Sequence, residues 1–137
     1  MKKILVAIDG SVHALKAVEM AAELASKHRI TDVTLINIIP IIPTETGPFP
    51  TAALPEDVEA WEIFKQPKEI LRKVGVNPLL LLEEGDPASG IVEAARNGNF
   101  DLVVVGHRGL SSIEAFLLGS VSNRVVTHAP CSVLVVR

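Results

Sequence analysis

Apolar residues along the chain follow two spacings. Short, nearly unbroken runs of Val, Ile and Leu occur in KKILVAID (residues 2–9), DVTLINII (32–39), PLLLLEEG (78–85), DLVVVG (101–106) and SVLVVR (132–137). Runs of that length without polar alternation predict strands buried on both faces of a parallel sheet. Between the first two, SVHALKAVEMAAELASKH carries Leu15, Val18, Ala22 and Ala25 at helical spacing, with Ser11 placed to cap. DPASGIVEAARNGN predicts another helix, with Asp86 as cap, Pro87 in the first turn and Gly98 at the exit. GSVSNRVVTHAP predicts a last short helix, capped by Ser120 and stopped before Pro130.

One region is less regular. Residues 40–55 hold prolines at 40, 43, 48, 50 and 55, and exceed the length of an ordinary connection. They leave the carboxyl end of the second strand, the edge where open α/β sheets take ligands, and are expected to fold over that edge as a lid. In DVEAWEIFKQPKEILRKVG (57–75), Val58, Trp61 and Phe64 share a helical face, and Pro67 is expected to break or kink the helix before Ile70, Leu71 and Val74. Strands alternating with helices predict βαβ units: an α/β domain over residues 1–137, its parallel sheet covered by helices on both faces.

Composition narrows the function classes. A chain of 137 residues with 48% hydrophobic and 21% charged residues suits one domain with a buried core. A formal charge of −3 and 4% aromatics argue against nucleic acid, which calls for clustered cations or stacking platforms. The apolar start ends at Asp9, too early for an export signal, and no run reaches the about 20 residues of a membrane span. With a single cysteine, Cys131, read as a structural thiol, the expected location is the cytoplasm.

The candidate chemistry lies in the backbone. Gly106 ends the fourth strand, Gly109 follows three residues on, and Gly119-Ser120 opens the last helix. Free N–H groups at Ser120, Val121 and Ser122, their hydroxyls and the helix dipole make an anion site, to which Arg108 could add charge. The bland reading is turn glycines and a cap. No Gly-Lys pair supplies a Walker loop, and no glycines two apart supply a dinucleotide fingerprint. Asp9, at the end of the first strand, is placed either at a ligand edge or in a turn leading into the first helix. His107 meets phosphate or solvent, or is an exposed loop residue. His13, His28, His107 and His128 lack metal-ligand spacing. No catalytic residue stands out, since Ser120 lacks a nucleophile elbow and Cys131 lacks a base.

GHRGLSSIEAFLLGS resembles the Gly-two-Gly-nine-Gly-Ser pattern of the ATP-binding branch of the universal stress protein family. ILVAIDGS, VTLINI, EEGDPASGIVEAA and APCSVLVVR are similar to that family's other segments, in the right order. The resemblance implies an open five-stranded parallel sheet, ordered 3-2-1-4-5, of the adenine nucleotide alpha hydrolase-like kind. It implies ATP, with Mg²⁺ on a ligand left open, at the carboxyl edge. Asp9 and Ile38 would border adenine, and Gly106, Gly109, Gly119, Ser120, Val121 and Ser122 would line ribose and phosphates. It also implies a homodimer through the last strands. The function expected is a nucleotide-dependent stress-response or signalling module with an unidentified protein partner. The alternatives are a slow, partner-dependent ATP hydrolase or nucleotidyl-transfer enzyme, or an interaction module with a vestigial pocket. The chain departs from the family pattern in the proline-rich stretch, at Pro67, at Asn37 where His is common, and at Ser132 where Pro is common.

Overall fold

The structure is a computed structural model, and it describes residues 1–108 and 118–137. Strand β1 (Lys3–Ala7) leads to α1 (Val12–His28), then β2 (Asp32–Thr44) and β3 (Gly47–Pro50). A 3₁₀ turn (Val58–Ala60) precedes α2 (Glu62–Arg72), β4 (Leu79–Gly85) and α3 (Pro87–Asn97). β5 (Leu102–Gly106), α4 (Ser120–His128) and β6 (Ser132–Val136) close the chain.

Five strands run parallel in the order β4-β2-β1-β5-β6, which is the expected order once β3 is set aside. The sixth strand, β3, is the difference. It pairs antiparallel with the far end of β2, Ile42 opposite Phe49 and Thr44 opposite Gly47. The first part of the proline-rich region is therefore a hairpin that prolongs β2, not a free lid.

Alternation along the strands sorts the core into two layers. Ile4, Val6, Val33, Leu35, Leu102 and Val104 face α1 and α2; Leu5, Ile36, Ile38, Val103 and Val105 face α3 and α4. One-residue steps send neighbouring side chains to opposite faces, so an unbroken apolar run serves both layers.

The helix boundaries follow local chemistry. Ser11 accepts the Ala14 N–H (3.1 Å), and Asp86 accepts the Ser89 N–H (3.0 Å), as the capping pattern predicts. Gly98 does close α3, yet the left-handed residue there is Asn99, with φ 52°, and a side chain on Gly98 would collide with the Phe100 ring. Pro67 lies buried inside an unbroken α2. The interruption comes instead at Trp61, whose extended backbone (φ −61°, ψ 124°) separates the 3₁₀ turn from α2. No helix among the described residues is long and apolar enough to cross a membrane.

Candidate functional site

The carboxyl ends of β1, β2 and β5 open on a cavity of about 350 Å³. β1 and β5 are neighbours whose connections lead away in opposite directions, β1 through α1 to β2 and β5 through α4 to β6. A sheet of this kind leaves a crevice at that point.

Asp9, Ile38, Gly106, Gly119, Ser120, Val121 and Ser122 all line this cavity. Gly109 lies outside the described residues. The walls are mostly apolar, with Ala7, Ile8, Ile39, Ile91 and Val105 among them, while Asp9, Arg108 and the start of α4 supply polarity.

Each group has a definite local reason. Asp9 accepts the Ser11 N–H on Oδ1 (2.9 Å), so the turn role and the edge position hold together. Gly106 is a glycine because α1 presses on it: a Cβ there would sit 2.7–2.9 Å from the backbone and Cβ of His13. Gly106 is not among the glycines with positive φ, so that expected reason gives way to helix packing.

The N-cap of α4 is Gly119, not Ser120, and no side chain caps it. Gly119 donates to the His107 carbonyl (2.9 Å), which ties the helix start to the strand end. The first intrahelical bond is Asn123 to Gly119 (2.8 Å), so Ser120, Val121 and Ser122 carry the N–H groups that have no intrahelical acceptor. The Ser122 hydroxyl is not free to donate to a ligand, because it donates to the buried Gly106 carbonyl (2.6 Å). Of the hydroxyls expected in the anion site, only that of Ser120 is exposed.

His107 is buried and does not line the cavity. Burial, and then the neighbouring Arg137, Arg108 and His13, push its pKa below the ordinary histidine value. Cys131 is partly buried, and burial followed by the Asp101 charge raises its thiol above the usual pKa, in keeping with a structural role.

The sequence reading missed one lining residue. Trp61 lines the cavity, and its indole N–H donates to Asn37 Oδ1 (2.9 Å). Asn37 Nδ2 in turn donates to the Ile8 carbonyl (2.8 Å), so this buried amide links β1, β2 and the start of α2. A lone Asn inside an apolar strand is the signal that could have found it, since a buried amide needs partners. Thr51 and Ala52, just past the hairpin, also reach the rim. No group of three or more His, Cys, Asp or Glu able to hold a metal occurs among the described residues.

These features define an open parallel α/β protein with a ligand-sized cavity at the switch point of its sheet. The family model "Universal stress protein family" matches residues 1–137, and the chain belongs to that family. A curated relative from Thermus aquaticus, "Universal stress protein in QAH/OAS sulfhydrylase 3'region", is 38% identical over 137 residues, 99% of this chain and 98% of its own. A universal stress protein structure from Archaeoglobus fulgidus superposes with TM-score 0.76 at 26% identity, covering 100% of this chain and 99% of that one. Two further structures share the fold. A universal stress protein in complex with cAMP has TM-score 0.75 and 24% identity, covering 99% and 97% of the two chains. A universal stress protein from Archaeoglobus fulgidus in complex with dAMP has TM-score 0.69 and 23% identity, covering 100% and 98%.

Proposed function

We propose that the chain acts as one cytoplasmic nucleotide-binding domain, a homodimer that takes ATP in this cavity and signals through its bound conformation to a protein partner. The observation that carries the reading is convergence: the uncapped start of α4 and the carboxyl ends of three strands line one apolar cavity. An apolar wall with a few polar groups at one end suits a base joined to a polyanion. Free N–H groups at a helix start suit phosphate. The relatives complexed with cAMP and dAMP support an adenine nucleotide as the class of ligand.

In this reading Asp9 and Ile38 border the base, and Trp61 lines the same cavity. Gly119, Ser120, Val121 and the Ser122 N–H meet the phosphates, and Gly106 shapes the edge beside them. Mg²⁺ would arrive on the triphosphate, because among the described residues Asp9 is the only carboxylate lining the cavity and it has already engaged one oxygen. Bound Mg²⁺ would screen phosphate charge, while Arg108 and the helix dipole would act on the same anion.

Isothermal titration with ATP and Mg²⁺ tests the proposal. Binding should also raise the urea midpoint, adding about 2.7 kcal/mol when nucleotide stands at ~100 times its Kd. A folded protein that takes up no heat at millimolar ATP sinks the nucleotide reading.

A further inference from the structure

The β2–β3 hairpin presents apolar side chains to solvent. Ile42 and Phe49, a direct cross-strand pair, are both 52% exposed, and Leu54 just beyond is 48% exposed. Ile41 is also exposed. Prolonging β2 this far leaves its last residues without a covering helix, so the hairpin faces keep the water the core strands have shed. An exposed cluster of large apolar groups on one short element marks a contact surface.

The hairpin edges are closed to strand addition. Thr51 donates to the Pro40 carbonyl (2.8 Å), and bonded pairs of an antiparallel ladder recur at every second residue. By that register, residues 41, 43, 48 and 50 turn their N–H positions outward, and the last three of these are proline. A partner strand would find few donors, so contact must be made through the side-chain faces.

Charge specifies the occupant. Residues 40–64 contain no Lys, Arg or His. Glu45 lies in the hairpin turn, and Glu83 and Glu84 stand in register beside Ile38 and Ile39 at the hairpin base. These three carboxylates are exposed and, among the described residues, have no ion-pair partner. Two copies meeting hairpin to hairpin would bring like charges together, which disfavours self-association here.

We infer that the hairpin is a docking surface for an amphipathic helix of another protein, one whose apolar side is flanked by Lys and Arg. The apolar side covers Ile42 and Phe49, and the flanking cations meet Glu45 and Glu83, which shares a face with Ile38 and hence with Ile42. None of Ile42, Glu45, Phe49 and Glu83 lines the cavity, so the surface is tested without nucleotide and stands or falls apart from the ATP reading.

The probes are two synthetic helices of equal length and apolar spacing, one of Leu and Lys, one of Leu and Glu. Fluorescence anisotropy should show the Leu/Lys helix binding the wild type about tenfold or more tightly than the Leu/Glu helix. Ile42→Ser with Phe49→Ser should weaken Leu/Lys binding by about tenfold or more, with the urea midpoint unchanged because both residues are exposed. Glu45→Lys with Glu83→Lys should reverse the preference between the helices. No binding of the Leu/Lys helix, or equal binding by the serine variant, overturns the proposal. So does adherence of the wild type to phosphatidylserine vesicles, or self-association, that the serine substitutions abolish.

Discussion

Gly106 is where helix packing and the candidate site meet in one residue. A methyl group there would press on the His13 backbone at 2.7–2.9 Å, and backbone yields far less readily than the tip of a side chain. Gly106→Ala should therefore cost about 1–3 kcal/mol, read from the urea midpoint, because α1 must move off the end of β5. It should also weaken ATP, since the Gly106 carbonyl positions Ser122 at the start of α4. An alanine variant with unaltered midpoint and affinity would show the contact to be soft. The sequence placed Gly106 correctly at the sheet edge but not the reason for it, because the pressing atoms belong to a residue 93 positions earlier in the chain (106 − 13). His107 shows the same limit. A histidine after a strand end looks like a loop residue until α1 and the end of β6 bury it.

Elements were legible where their signals were local. The five parallel strands, the Ser11 and Asp86 caps and the Pro87 start all rest on residues within a few positions of one another. β3 was not, because proline-rich composition masks a strand whose prolines occupy the outward positions of its ladder. Nor was the break at Trp61, which is fixed by an indole bond to Asn37 across the fold. Asp86 joins two elements in a way that acid should expose. It caps α3 and receives both Arg124 nitrogens from α4, Nη1 at 3.0 Å and Nη2 at 2.9 Å. The Arg124 bonds first, and then the Ser89 N–H, lower its pKa from 3.8 to about 2. A carboxylate with a depressed native pKa stabilises the fold above its unfolded value and loses that contribution as pH falls through the native one. Wild-type stability should thus decline between about pH 4 and pH 2 with a share due to Asp86, and Asp86→Asn should flatten that part of the profile. Because the pair is half exposed, the loss near neutral pH should be only about 1 kcal/mol, mostly the Arg124 ion pair, since Asn caps about as well as Asp. Chemical denaturation across the acid range decides it. An unchanged slope in the variant would assign the acid limb to other carboxylates.

At the scale of the whole molecule, β6 stands at an edge of the sheet and, among the described residues, pairs only with β5. His107 donates to the Val136 carbonyl (2.7 Å), so Val136 turns its peptide groups toward β5. Alternation then turns those of Val135 and Val133 outward, unpaired, along an apolar strand. Such an edge is a template for a second copy, and a two-fold axis beside it would join two β6 strands antiparallel into one continuous sheet. Val135→Pro separates this contact from the fold. Proline removes the outward donor of residue 135 and leaves the bonds to β5 in place, so the urea midpoint at low protein concentration should change little. Val135→Lys attacks the same contact by charge. Sedimentation velocity at micromolar concentration should find the wild type as a dimer and both variants shifted toward monomer by about tenfold or more in dissociation constant. A wild type that sediments as a monomer removes the dimer, whereas variants that still pair would move the interface away from β6. The hairpin at the β2 end sits on the other side of β1 from this edge, so pairing through β6 and docking on the hairpin use different parts of the sheet. Substitutions at Val135 should accordingly leave binding of the Leu/Lys helix intact, while those at Ile42 and Phe49 leave the sedimentation of the dimer intact.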